Sequence, residues 1–191
     1  MKTSIKSKLL LVLFLLISID CLTSYAENYS DESARKAIEV LLPIITPDMT
    51  DYDKAVAAHD WLCTNCEGDS SSYESKDYMP YDFSADGPLL YGTSLCKGYA
   101  EAFRLFMNIL QIENRIVQGY VRDGYHAWNE VKIDGKWYAV DVTFDDPILV
   151  EYDSRSSKKR VIESYRVYSR KYCMIDPEEM NNDRLVCEYL Y

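Results

Sequence analysis

The first apolar pattern repeating every three to four residues begins after Ser30. There SDESARKAIEVLL carries a serine suited to cap a helix, acids in the first turn and apolar positions on one stripe. Pro43 marks the expected end of this helix. A second helix is expected from Thr50 or Asp51 to about Cys66, with Ala55, Ala58, Trp61 and Leu62 on its buried stripe. Residues 67–93 lose all periodicity and are rich in Ser, Asp, Gly and Tyr, which predicts a long loop. The helical period then returns. Ser94 is placed to cap a third helix whose buried face is Leu95, Tyr99, Ala102, Phe103, Phe106 and Leu110, with Cys96 in its first turn.

After Asn114 the period changes to two, in the runs RIVQGYVR, YHAWNEVKI and KWYAVDVTF, which Asp123-Gly124 and Asp134-Gly135 separate. Asp-Gly between alternating runs is a strong hairpin signal, so the three runs predict an antiparallel meander. A further strand is expected across Ser164 to Met174, followed by a short helix opened by Asp176-Pro177-Glu178-Glu179. Helices first and a meander after them give an α+β fold without repeats.

The turns also set a register. With a two-residue turn at Asp134-Gly135, Ile133 faces Lys136, Trp128 faces Asp141 and His126 faces Thr143. His126 and Asp141 are then diagonal neighbours on one face, about 7–8 Å apart at the backbone. Val131, Ile133, Tyr138, Val140 and Val142 point to the opposite face as a core-facing row. The same count at Asp123-Gly124 puts Val121 opposite His126 and Gly119 opposite Trp128, leaving a hollow where a substrate chain could lie.

Composition narrows the setting. The N-terminus combines basic MKTSIKSK, an apolar run from Leu9 to Ile19 and the small-x-small triplet Ser24-Tyr25-Ala26, the plan of a signal peptide over residues 1–26. The apolar run is too short to span a bilayer, which needs about 20 residues. The expected product is one domain over residues 27–191, secreted or held in the cell envelope after cleavage near Ala26, with no stable membrane anchor. Cleavage removes Lys2, Lys6, Lys8 and Asp20, so the formal net charge of −10 becomes −12. Such a surface repels phosphate backbones and argues against nucleic acid as a partner. Five cysteines remain after Cys21 is lost, an odd number where disulfides are permitted: Cys63, Cys66, Cys96, Cys173 and Cys187. Two bridges among the other four would leave Cys96 as the free thiol, with the pairing open.

Cys96 at a helix start, followed by a hairpin bearing His126 and Asp141, suggests a cysteine nucleophile. A helix N-terminus and a neighbouring imidazolium both stabilise a thiolate, and a carboxylate can orient the ring. First-turn amides could hold an oxyanion, and Tyr91 is a candidate side-chain donor. Taken singly, each group has an ordinary reading: a buried cysteine, a satisfied strand histidine, an ion-paired aspartate. A different chemistry is offered by His59, Cys63 and Cys66, spaced H-x3-C-x2-C, which could ligate a metal; a histidine beside buried or bridged cysteines is the ordinary reading of that spacing.

The segments SLCKGYAEAFRLFMNIL and GYHAWNEVKIDGKWYAVDVTFDDP closely resemble the core of transglutaminase-like domains of the bacterial secreted type. The resemblance spans Leu90 to Pro147, with echoes in the preceding helix and in YCMIDPEEM. It implies a papain-like arrangement in which the cysteine helix packs on an antiparallel sheet, with Cys96 as nucleophile, His126 as general base and Asp141 as orienting acid. Phe144 stands where such domains often carry tryptophan, and Lys97 where a neutral or acidic residue is common. The implied function is a hydrolase or acyl transferase acting on amide bonds of an extracellular protein or cell-wall peptide, through a thioester and without metal or cofactor. The alternative is a noncatalytic binding or assembly module on the same fold.

Overall fold

The computed structural model of the chain describes residues 29–69, 75–122, 124–146, 148–152, 161–166 and 168–191. The signal segment expected over residues 1–26 lies outside the described residues. No helix among them is long and apolar enough to cross a membrane.

Helix α1 spans Asp31–Ile44, and Ser30 caps it by accepting from the Ser33 amide. Pro43 lies inside its last turn instead of ending it. Helix α2 spans Asp51–Asn65 behind a capping box between Thr50 and Asp53. The described part of the predicted loop after it contains short regular elements. Strand β1 (Glu67–Gly68) pairs in parallel with β2 (Thr93–Ser94), and between them lie a 3-10 turn at Pro80–Phe83 and a π turn at Gly87–Tyr91. Helix α3 spans Cys96–Ile109. Its cap position is Leu95, one residue later than expected, because Ser94 is spent elsewhere: its buried hydroxyl donates to the Asp82 carbonyl at 2.9 Å. The same segment explains Gly98, where a Cβ would lie 2.8 Å from the Ser84 carbonyl oxygen and 2.9 Å from that of Asp82.

The main sheet has five strands, in the order β8 (Cys173–Ile175), β5 (Lys136–Val140), β4 (Gly124–Ile133), β3 (Asn114–Val121) and β9 (Leu185–Leu190). Strands β3 (Asn114–Val121), β4 (Gly124–Ile133) and β5 (Lys136–Val140) form the predicted meander. At the second hairpin the register is as read from the turn, with Ile133 opposite Lys136 and Asn129 opposite Val140. There the strand stops. Asp141 leaves the ladder to cap a one-turn helix, α4 (Val142–Asp145), so the expected pairing of Trp128 with Asp141 and His126 with Thr143 does not form. At the first hairpin the register differs by two: Gly124 already pairs with Val121, which puts Gly119, not Val121, opposite His126.

Two further strands, β6 (Ile148–Tyr152) and β7 (Val161–Arg166), form a separate hairpin. The single strand expected over Ser164–Met174 is therefore two, with β8 (Cys173–Ile175) returning to the main sheet. Helix α5 (Pro177–Met180), capped by Asp176 as expected, leads to β9 (Leu185–Leu190), which the sequence reading had not assigned.

Helices α1 to α3 cover one sheet face, where Val131 and Val140 join the main core with Ile133 and Tyr138 packed against it. Trp128, Val117 and Ala139 line the other face and are covered by Met180 and neighbours from the C-terminal segment. Burial on both faces explains why β4 is buried without interruption from His126 to Val131. β9 approaches β3 so closely that a Cβ on Gly119 would lie 2.1 Å from the Leu185 carbonyl oxygen. The hollow expected beside His126 is thus filled by the chain's own backbone.

Candidate active site

Cys96 is the first residue of α3, and no side chain caps that helix, so its first-turn amides point past the thiol as donors for an anion. Gly98 lets this turn seat against residues 82–84, and Asn129 of β4 donates to the Ala100 carbonyl at 3.0 Å. Tyr99 donates its hydroxyl to Asp146 at 2.9 Å, linking the start of α3 to the segment that begins at Asp141.

His126, near the start of β4, meets Oδ2 of Asp141 through Nε2 at 2.8 Å. The other ring nitrogen is left without a carboxylate partner, and the Cys96 sulfur is near enough to the imidazole to favour its charged form. Phe144 packs on the ring at 4.6 Å and Trp128 stacks at 6.1 Å. The sequence thus named three groups that the fold brings together, though the route differs from the one expected. Asp141 reaches His126 from a helix cap outside the ladder: its Oδ1 accepts from the Phe144 amide at 3.1 Å and its own amide donates to the Tyr172 carbonyl at 3.0 Å.

The electrostatics favour a charged ring. Burial opposes the imidazolium most strongly, but the Asp141 carboxylate and the Cys96 sulfur outweigh it and raise His126 to about 10. Burial likewise pushes the Asp141 carboxyl up, and His126 and Arg184 together hold it down at about 2. Arg184 is the residue that the sequence reading missed. It donates Nη1 to Oδ2 of Asp141, and its guanidinium lies 4.6 Å from the Phe144 ring, 5.1 Å from Trp128 and 5.2 Å from Tyr172. Tyr91, considered as an oxyanion donor, is largely exposed and stacks on Tyr81 at 4.4 Å.

The three residues of the alternative metal reading do not converge on one point. Among the described residues no group of three or more His, Cys, Asp and Glu side chains is arranged to hold a metal ion. His59 is wholly buried with Nδ1 3.1 Å from Asp60 and Nε2 3.1 Å from Asp145, so both nitrogens are committed to carboxylates. Cys63 lies 3.5 Å from His59 Nε2, while Cys66 turns away to donate to the Pro88 carbonyl. No disulfide joins the described cysteines in this structure, and Cys187 is exposed on β9.

Comparison with known proteins places these features in a family. The sequence model described as the transglutaminase-like superfamily matches residues 38–142, more than half of the chain. The kyphoscoliosis peptidase of Homo sapiens is 27% identical over 123 residues, which cover 58% of this chain and 18% of that protein. The kyphoscoliosis peptidase of Mus musculus is 26% identical over 132 residues, covering 63% and 19%. The chain therefore spans less than a fifth of the length of these curated relatives. Among solved structures, a TGase superposes with a TM-score of 0.53 at 15% identity, over 80% of this chain and 42% of that one, which is a likeness of fold.

Proposed function

The chain belongs to the transglutaminase-like superfamily, and on that premise we propose that it is a secreted thiol enzyme acting on amide or peptide bonds of proteins or cell-wall peptides. Family membership supports a cysteine-based enzyme as the general class. The observation that carries the finer reading is the junction of α3 with β4, where Cys96 sits at an uncapped helix start beside an imidazole that Asp141 holds at 2.8 Å.

In this reading Cys96 passes its proton to His126, and the sulfur attacks the carbonyl carbon of the substrate amide. The first-turn amides of α3 receive the oxyanion. His126 then gives the proton to the departing amine, leaving a thioester on Cys96. Water or an amine attacks the thioester with His126 as base, which completes hydrolysis or acyl transfer. Asp141 keeps the ring oriented and stabilises its charge throughout.

Iodoacetamide alkylation of the native mature protein across pH, followed by peptide mapping, tests the reading in wild type and His126→Ala. Selective labelling of Cys96 near neutral pH that slows by about tenfold or more in the variant is the expected outcome. A Cys96 that stays unlabelled in the native protein refutes it.

A further inference from the structure

Arg184 raises a question of charge. Its side chain is fully buried beside a carboxylate that is 1% exposed, at the end of a one-turn connection into β9. Three rings enclose the guanidinium and their faces attract it, but a fully buried charge also calls for an opposite charge in contact. That charge is Asp141 Oδ2, the same oxygen that His126 Nε2 meets. Oδ1 is taken by the Phe144 amide, so every direction of the carboxylate is specified.

The sharing of Oδ2 changes where the proton on His126 comes from. The charged groups facing the ring are Asp141 and Cys96, with Arg184 behind Asp141. Without Arg184, a buried Asp141 anion is balanced by an imidazolium alone, and the neutral state of the site is a charged ring beside a thiol that keeps its proton. With Arg184 the carboxylate is already balanced. A charged ring then leaves the site neutral only when the sulfur is a thiolate, so proton transfer from Sγ to the ring conserves the buried charge. Uptake of a proton from solvent does not.

Resting on the proposed thiol-enzyme reading, we propose that Arg184 is a positioning residue of this centre: it fixes and neutralises Asp141, so that His126 draws its proton from Cys96. The residue arrives on the C-terminal segment, which β9 holds against β3 through Gly119. The centre is therefore incomplete without residues that lie beyond the stretch 38–142 matched by the family.

The test compares wild type, Arg184→Gln and Arg184→Lys as full mature chains, with thermal unfolding to verify that each is folded. Two quantities are read: the alkylation rate of Cys96 by iodoacetamide at pH 7, and the titration of His126 by NMR, where the chain's only other histidine is His59. In Arg184→Gln the rate is expected to fall about tenfold, the change that accompanies one pH unit in the thiolate fraction. The His126 ring is expected to titrate higher than in wild type, because a nearby cation is gone. Arg184→Lys restores most of both. Equal rates in wild type and Arg184→Gln overturn the proposal. It is also overturned if both variants lose rate equally while His126 falls toward the ordinary histidine value, which marks a plain packing role. An unreactive Cys96 in wild type sinks the thiol-enzyme reading as well, whereas the two outcomes above leave that reading standing.

Discussion

The chain has two histidines, and each lies buried against an aspartate of the same short segment with a cysteine alongside: His126 with Asp141 and Cys96, His59 with Asp145 and Cys63. The residue types match. What separates the two centres is where the protons can go. His126 commits one nitrogen to a carboxylate and leaves the other without one, with the Cys96 sulfur close to the ring. His59 gives both nitrogens to carboxylates, at 3.1 Å each, so the ring is a fixed imidazolium with no lone pair to accept a proton. Burial opposes that charge, but Asp145 and Asp60 together hold it well above the ordinary histidine range. The sulfurs differ as well. Cys96 stands at a helix start and is partly exposed, whereas Cys63 lies inside α2, is 2% exposed, and has its thiol pushed up by burial. A Cys-His-Asp set becomes a candidate nucleophile only with a free ring nitrogen, an open sulfur and helix amides beyond it.

The second centre holds the first in place. Asp145 accepts from the Tyr172 amide at 2.9 Å and from the Ser169 hydroxyl, and Asp146 accepts from Tyr99. The three aspartates of the run from Asp141 to Asp146 therefore reach β4, α2 and α3 separately. The largest contrast between the centres should appear in chemistry. His126→Gln is expected to lower turnover of an amide substrate by about 10²–10⁴-fold, while Cys63→Ala changes it less than twofold. A His126→Gln enzyme of near-normal kcat would erase the distinction.

The His59 centre should show itself in stability instead. Replacing His59 by Gln leaves the wholly buried Asp145 without its counter-charge, and breaking a buried pair in this way costs about 3–5 kcal/mol. Urea unfolding of His59→Gln should show a correspondingly lower midpoint. An unchanged midpoint would mean that Tyr172 and Ser169 alone satisfy Asp145.

The pH dependence of stability follows from the His126 centre. The folded value of about 10 for His126 lies above the unperturbed 6.5, so its contribution is complete below about pH 6.5 and is lost as pH rises through 10. Asp141 is held at about 2 against 3.8, so its contribution is present above 3.8 and is lost as pH falls through 2. His59 acts in the same sense as His126. The urea midpoint of wild type minus that of His126→Gln should therefore shrink as pH is raised from 7 toward 10. A difference that grows instead contradicts the sign.

Much of this was legible in the sequence because local rules carried it. The period of three to four placed α1, α2 and α3, and Asp134-Gly135 fixed the β4–β5 register through Val140. The rules failed where tertiary contacts override them. Asp141 continues the alternating run in sequence, but it caps α4 because its carboxylate serves the Phe144 amide and His126 together. Ser94 had the chemistry of a cap and was drawn to Asp82. Arg184 carried no local signal, since its partner is 43 residues away and the strand that follows it, LVCEYL, does not alternate. The alternating pattern marks Gly119 as a gap but carries no sign that the Leu185 backbone fills it. Gly119→Ala tests that seat: overpacking against the Leu185 backbone should cost about 1–3 kcal/mol in urea unfolding. A neutral substitution would show that β9 can shift without cost.

The smallest effect is expected at the outer edge of the His59 centre. Arg170 and Tyr168 both reach Asp60, the carboxylate on His59 Nδ1, and Arg170 balances the second negative charge there. The pair resembles a continuation of the buried network, but the Arg170 side chain is 58% exposed and water competes for it. Exposed pairs contribute at most about 1 kcal/mol, and salt screens them. Arg170→Ala should thus lower the urea midpoint only slightly, and the difference from wild type should shrink further in high salt. A loss as large as that of His59→Gln, insensitive to salt, would place Arg170 inside the buried centre and make the boundary between the two kinds of site one of charge balance, not of exposure.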